Sequence, residues 1–333
     1  MVESLFIFGN GLGRSISNEY FDLSRALEHA WHANDHLTDE QKKLIVACLP
    51  QEVIEQGGEA PQREEQLEEL QQILSACDTI LRIEKQLVED GGEARWLTEN
   101  GQKFPTAIRK YIHHAACYFL NHNEHLNKKF ADSLRSHIET RGAHIATLNY
   151  DDLLYEAFVD TPVFRKHLLR DGFLRGDFAF DWAEKKYNAK DEGWFLHLHG
   201  SPLFVDKNNN PKKVTRANLR GKHGSSSIHL VLTSVKFKRA IIQNSTILKS
   251  YWEKMRTIIP TSSNIILLGY GGEDIHLNEL LRLMAPNGSI RVVEYKGEND
   301  QAKRETYWQE NLGELNVEVT LLDNIQDFRD WHR

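Results

Sequence analysis

Cysteine is scarce in this chain. Cys48, Cys77 and Cys117 are its three cysteines, odd in number, far apart and without a Cys-x-x-Cys pair. That argues against a disulfide framework and a cysteine-built zinc site, and for a reducing, cytoplasmic compartment. Long apolar runs are missing as well: no stretch approaches the ~20 residues that a bilayer-spanning helix needs. The N-terminus, MVESLFIFGNG, has no basic segment ahead of its apolar residues, so it reads as a first strand and not as a signal peptide. Positive charge is not in excess. The net charge of −7 argues against broad binding to nucleic acid or an anionic membrane, and no sequence-specific nucleic-acid contact is expected. Repeats and low-complexity segments do not occur. What is present, 40% hydrophobic and 27% charged residues over 333 positions, suits a soluble globular protein with a real core. The length fits one large α/β domain with an insertion, or two domains.

The stretch around which the rest arranges itself is HIATLNYDD, 144–152. Ile145, Ala146 and Leu148 read as a buried strand. Thr147, Asn149, Asp151 and Asp152 then crowd together where that strand stops. In open α/β sheets ligands bind at the carboxyl ends of strands, so polar groups gathered there sit where chemistry happens. A plain strand-to-turn transition, with Asn and Asp bonding their own backbone, is the alternative.

Near the N-terminus Leu5, Phe6, Ile7 and Phe8 run straight into Gly9-Asn10-Gly11-Leu12-Gly13-Arg14-Ser15, followed by a helix from about Asn18. Glycines let a backbone approach a diphosphate, and free N–H groups at a helix start attract negative charge. The spacing is Gly-x-Gly-x-Gly, which an ordinary strand-to-helix turn also satisfies. Arg14 is read as a phosphate partner or a solvated arginine.

Residues 19–142 have a different character. Thr38-Asp39-Glu40-Gln41 fits a capping box. From Glu64 to Val88, Leu67, Leu70, Ile73, Leu74, Ile80, Leu81 and Leu87 recur at helical spacing. Pro105 is placed at the start of another helix, and the pairs Gly57-Gly58 and Gly91-Gly92 punctuate loops. The segment reads as a helical insertion covering one side of the sheet, with His113, His114, His122 and His125 on helix surfaces.

After a helix start at Leu153, residues 171–190 read as an irregular loop packed by its own aromatics or as a lid. Trp194 to Leu198 reads as a strand ending at His199-Gly200-Ser201-Pro202. His197 and His199 share a face by strand alternation, which suits a metal, yet no third ligand stands at a defined spacing. A single catalytic histidine, His199, is the better functional reading, because imidazole trades protons near neutral pH. Residues 206–227 form a basic hairpin or loop. Ile228 to Thr233 reads as a strand, Phe237 to Met255 as helical, and Asn264 to Leu268 as a strand ending in Gly269-Tyr270-Gly271-Gly272-Glu273-Asp274. Asp274 and Asn278 are candidate holders of ribose hydroxyls, or Asp274 a helix cap. Ile290 to Tyr295 and Val317 to Leu321 are the last strands, with a helix between.

Taken in order, GNGLGRS, TLNYD, HLHGS and LLGYGGEDIHL resemble the sirtuin superfamily, specifically the prokaryotic sirtuin-like NADases. The resemblance runs from Phe6 to about Asn278, with the insertion unmatched in detail. It implies an α/β, Rossmann-like fold: a doubly wound, mostly parallel sheet in a single domain of residues 1–333. Residues 1–18 and 143–333 would form the core, and 19–142 the helical insertion after the first strand. Gly9, Gly11 and Ser15 fall in the dinucleotide-phosphate loop, with Asn10, Gly13 and Arg14 beside them. Asn149 and Asp151 fall in the nicotinamide pocket, next to Thr147, and His199 falls on the catalytic histidine. Gly269, Tyr270 and Gly271 fall at the strand end that holds the adenosine half.

Two departures bear on the reaction. Deacetylases of the family carry a zinc module on two Cys pairs, which this chain lacks, and an alanine where this chain has Asn10. The resemblance therefore implies NAD+ cleavage without a metal, as in anti-phage defence, with silence before infection maintained by a homo-oligomer or a partner. A hexameric DNA-translocase type ATPase or an Argonaute-like protein is the partner expected. A nonenzymatic NAD or ADP-ribose sensor is the second reading. An ordinary Rossmann oxidoreductase is the third, and it needs an acidic residue about 20 positions after the glycines at the end of a strand, where 27–39 looks helical.

Overall fold

Leu5, Phe6, Ile7 and Phe8 have no exposed surface because their strand, β1 (Ser4–Phe8), lies in the middle of a six-stranded sheet. The computed structural model describes residues 4–33, 37–55, 59–90, 95–159, 169–181, 193–207, 210–219, 227–232 and 235–332. On one side β1 pairs with β2 (His144–Thr147), which pairs with β5 (Phe195–His197). On the other it pairs with β8 (Asn264–Leu268), followed by β9 (Ser289–Tyr295) and β10 (Val317–Leu322). Every pairing is parallel, as the continuous apolar runs require of strands covered on both faces. The order β10-β9-β8-β1-β2-β5 is that of two βαβ halves meeting between β1 and β8, and a crevice opens at such a reversal. This is the expected Rossmann-like α/β sheet, and all its carboxyl ends emerge along one edge.

The helical segment follows β1 as expected: α1 (Gly11–Arg14), α2 (Leu23–His32), α3 (Asp39–Ala47), α4 (Gln51–Glu55), α5 (Glu68–Glu89), α6 (Glu99–Tyr118) and α7 (Lys128–Arg141) precede β2. The Thr38–Gln41 capping box is present at α3. Several boundaries differ from expectation. A helical turn begins at Gly11 itself, and the next helix waits for Leu23, where the Asp22 side chain accepts the Ser24 N–H. Residues 64–67 form a 3-10 turn before α5. Pro105 lies inside α6, whose start is set upstream by Thr98 accepting the Gly101 N–H. The segment has its own apolar cluster, including Trp31, Leu70, Ile108 and Tyr111, and this cluster also takes in Tyr150 from the end of β2.

His113 and His122 correct the expectation of surface histidines: His113 is buried with Nε2 3.0 Å from the Pro202 carbonyl, and His122 is buried 3.4 Å from Asp152. His125 is exposed, but in the segment between α6 and α7 and not on a helix.

A second, antiparallel sheet, β3 (Phe173–Leu174), β4 (Asp177–Phe178), β7 (Asn210–Lys213) and β6 (Phe204–Lys207), stands where an irregular loop was expected over 171–190 and supplies a hairpin at the start of the 206–227 segment. Its first hairpin turns on Arg175 (φ 52°) and Gly176 (φ 88°), a two-residue loop with both φ positive, matching the strands' twist. Strands of two to four residues carry too little pattern to be read beforehand. Residues 228–232 form no strand; a single bridge joins Gly200 to Leu230. The expected 237–255 helix is two, α10 (Val235–Asn244) and α11 (Thr246–Ile258), divided where the Ser245 side chain accepts the Leu248 N–H. Helices α8 (Leu153–Phe158), α9 (Arg216–Leu219), α12 (Ile275–Leu281) and α13 (Gln301–Leu312) complete the described α-helices. Gly57, Gly58, Gly91, Gly92, Trp182, Tyr187, Asn208, Asn209, Arg220, Lys222, residues 224–226 and Thr233 lie outside the described residues. No helix among the described residues is long and apolar enough to cross a membrane.

Candidate functional site

The two glycine turns meet at the reversal point of the sheet. The Gly9 N–H donates to the Leu268 carbonyl at 3.0 Å, and the Gly11 N–H to the Gly269 carbonyl at 2.9 Å. A Cβ on Gly9 would fall 2.6 Å from the Gly269 oxygen, so a side chain there must displace backbone. Asn10, Arg14, Tyr270 and Gly271 line the cleft beside these turns. Gly13 and Ser15, expected in the phosphate loop, are not among its lining residues. Gly13 packs on the Phe21 ring, and the Ser15 hydroxyl donates to the Leu12 carbonyl at 2.7 Å while accepting from the Gln326 amide. Because α1 starts at Gly11, these positions turn inward.

At the end of β2 the polar cluster divides its labour. Thr147 Oγ1 accepts the Asn149 N–H at 3.1 Å, which shapes the turn and corrects the expectation of a cofactor contact. The Tyr150 hydroxyl donates to the Val231 carbonyl. Asp152 meets Arg216 at 3.2 Å and His122. Asp151 Oδ1 accepts the Leu153 N–H at 3.2 Å. Burial pushes the Asp151 carboxyl up to about 6, against the pull of that N–H. Asn149 is buried with neither Oδ1 nor Nδ2 at hydrogen-bonding geometry, although it lies near enough to Asp151 to help hold that carboxyl down. A buried amide without partners carries a desolvation cost of about 1–3 kcal/mol, which a ligand's polar groups would relieve.

His199 stands two residues past the end of β5, so strand alternation does not govern it. His197 and His199 part company. His197 is buried among Tyr155, Phe195 and Phe204, where burial holds it neutral, down to about 3. His199 faces the cleft, with Nε2 3.2 Å from Asp274 Oδ2. Gly200 enforces the exit: its φ is +82°, and a Cβ would fall 1.7 Å from the His229 carbonyl oxygen. Lys238 of α10 bonds both His199 Nε2 and Asp274 Oδ2. Burial, then the Lys238 charge, lower His199 to about 4, against the raising pull of Asp274. For Asp274, burial pushes upward but the His199 bond and the Lys238 charge outweigh it, holding the carboxyl well below the usual range.

Asp274 is also the N-cap of α12, accepting the His276 and Leu277 N–H groups through Oδ1. Both its oxygens are thus engaged. Asn278 does not line the cleft: its amide donates to the Gly272 carbonyl at 2.7 Å and its oxygen accepts the Tyr270 hydroxyl at 2.9 Å, so it builds the turn and offers nothing to a ribose.

All of this surrounds one cleft of about 660 Å³, lined by Gly9, Asn10, Gly11, Arg14, Asn149, Asp151, His199, Gly269, Tyr270, Gly271 and Asp274 from the expected set. That volume suits a dinucleotide-sized ligand. The sequence reading missed Lys238, Glu64 and Glu65 from the turn before α5, Glu294 and Tyr295 at the end of β9, and Asn299 and Arg304 after it. Glu294 ends a strand, and an acidic strand end was a usable signal. It is held by Arg304 at 2.6 and 2.7 Å and by the Trp308 ring N–H at 3.0 Å. Lys238 sits in the run VKFKRAIIQN, where nothing sets it apart from Lys236 and Arg239. Burial, with nearby carboxylates acting against Lys238, pushes the half-buried Glu64 carboxyl up to about 7.

Elsewhere, Ser245, His229 and Asp206 are bonded in sequence at 2.8 and 3.1 Å, the order of a nucleophilic triad. Ser245 is fully buried and spent as the α11 cap, so this set staples β6 to the helix pair. Two basic residues of the 206–227 segment are turned inward, Lys213 to Asp171 at 2.6 Å and Arg216 to Asp152, while Lys207 is exposed.

No curated protein matches the chain. The SIR2-like domain family matches residues 143–312, just over half of it. The match spans Asn149, Asp151, His199, Lys238, Gly269 and Asp274, leaving the first glycine turn and Glu64 outside, and it ties the cleft to NAD-related activity in general terms. With that match laid over a parallel sheet whose cleft opens between β1 and β8, the chain belongs to the SIR2-like domain family.

Proposed function

We propose that this protein is an NAD+ glycohydrolase that breaks the nicotinamide–ribose bond to give nicotinamide and ADP-ribose or a cyclised form. The observation that carries the reading is the unpaired Asn149 amide, buried in the wall of the cleft that His199 also lines. Loss of nicotinamide takes the bonding electron pair with the leaving group and leaves positive charge on the ribose. The Asp151 carboxylate is suited to stabilise that charge, since at pH 7 it lies above its raised value of about 6. Asn149 binds ribose hydroxyls or orients the attacking water. His199, neutral at pH 7 because its value is lowered to about 4, has a lone pair with which to take the water's proton. The glycine turns take the diphosphate and the β9 end takes the adenosine half.

On this reading the enzyme is an NAD-depleting effector of anti-phage defence, kept silent by self-association or by a partner. The test is direct: purified protein, alone and with the products of neighbouring genes, is incubated with NAD+ and the products are resolved chromatographically. Nicotinamide release that disappears in Asn149→Ala and His199→Ala supports the reading. Full turnover by both variants refutes the site, and NAD binding without any cleavage favours the sensor reading instead.

A further inference from the structure

We propose that Lys238 is a positioning residue for His199, acting together with Asp274; the inference rests on the NAD-cleaving reading of the cleft. The Lys238 side chain is 6% exposed. An ammonium gives up its hydration at such a site only against good partners. Its partners are Asp274 Oδ2 and His199 Nε2, and it also lies 5.8 Å from the centre of the Trp252 ring. Asp274 is itself immobilised by the two N–H groups at the start of α12. A chain of fixed groups therefore runs from a helix cap through the Asp274 carboxylate and the Lys238 ammonium to the imidazole.

The consequence is electrostatic. Asp274 alone favours a charged imidazolium, which has no lone pair to receive a proton. The other charged groups lining the cleft are Glu64 and Glu65 from the turn before α5, Glu273 beside Asp274, Asp151 after β2, Glu294 paired with Arg304 beyond β9, and Arg14 from the first glycine turn. Among these cations, Lys238 is the one bonded to the ring. Removing it leaves His199 against an uncompensated carboxylate, and the imidazole charges at higher pH. Lys238 thus holds the ring neutral by donating to the Nε2 lone pair, which takes up a proton once the Lys238 N–H yields it.

The test is nuclear magnetic resonance of the histidine ring carbons in the full-length protein, with the His199 signal assigned by its loss in His199→Asn. In the wild type His199 titrates near pH 4 and is neutral at pH 5 and above. In Lys238→Met it titrates at least about one pH unit higher, and in Lys238→Arg it returns to the wild-type position. Lys238→Gln, which keeps a donor without the charge, takes the place of Lys238→Met if that variant does not fold, with the same upward shift expected. Nicotinamide release by the uncharged variant falls about twofold more at pH 5 than at pH 8, in kcat with little change in KM. Identical His199 titration in wild type and uncharged variant overturns the proposal. A wild type that binds NAD+ but never cleaves it refutes the reaction, while the titration still decides what Lys238 does to the ring.

Discussion

Gly11 and Gly269 are in direct backbone contact: the amide of the first donates to the carbonyl of the second at 2.9 Å, and a Cβ on Gly11 would fall 2.7 Å from the Gly269 Cα. This contact brings together the carboxyl ends of β1 and β8, between which the cleft opens. Gly269 also has φ +64°, and a Cβ there would lie 2.8 Å from the Leu12 nitrogen. Gly269→Ala is expected to cost about 2–5 kcal/mol, from backbone strain and overpacking together. Gly271→Ala, with no atom within 4 Å of the added Cβ, is expected to cost under about 1 kcal/mol. Urea unfolding of both variants checks this, and equal losses would contradict the geometry.

Asn149 is expected to separate stability from function. Its amide is buried without partners, so Asn149→Ala removes an unsatisfied group and leaves the melting temperature unchanged or raised. Nicotinamide release is expected to fall by about 10²-fold or more. A large drop in melting temperature, of the kind seen on truncating a core residue, would show that Asn149 is part of the packing.

The cleft's charge changes near neutral pH. Burial raises Glu64 to about 7 and Asp151 to about 6. A raised carboxyl is neutral below its own value and negative above it, so the cleft gains negative charge between pH 5 and 8 and repels a diphosphate more strongly. ADP-ribose is expected to bind about three- to tenfold more weakly at pH 8 than at pH 6, and Glu64→Gln to flatten most of that slope. Calorimetric titration at the two pH values is the measurement; steeper binding in the variant would reverse the assignment.

Asp171 is expected to matter for stability alone. Its carboxylate accepts the Tyr155 hydroxyl and pairs with Lys213 at 2.6 Å, away from the cleft lining. Asp171→Ala strips the largely buried Lys213 ammonium of its counter-charge and leaves it on the Tyr155 hydroxyl, at a cost of about 2–4 kcal/mol after allowing for the partial exposure of Lys213. Turnover per folded molecule is expected to stay at the wild-type level. Lost turnover at unchanged stability would place this network in the reaction.

Much of the fold was legible because parallel strands covered on both faces are written as short apolar runs. LFIF, HIA, NIILL and the run from Ile290 each became a strand within a residue or two of expectation. The glycines and the cluster after β2 were legible for the same reason, since strand ends at this edge of the sheet carry turns and polar groups. The small antiparallel sheet was not, because its strands span two to four residues. Pro105 misled because proline favours a first helical turn, whereas here an upstream threonine cap holds the start.

The sequence by itself determined which elements form and where their polar ends lie. Tertiary structure alone decided which of those polar groups are free and which are spent: Asn149 is unpaired, while Thr147, Asp152 and Asn278 are consumed by their neighbours. It also decided that Lys238 meets Asp274 from 36 residues away and that Asp274 meets His199 from 75. Periodicity reports the burial of one element along its own axis, but a hydrogen bond between elements depends on how the closed chain sets them against each other.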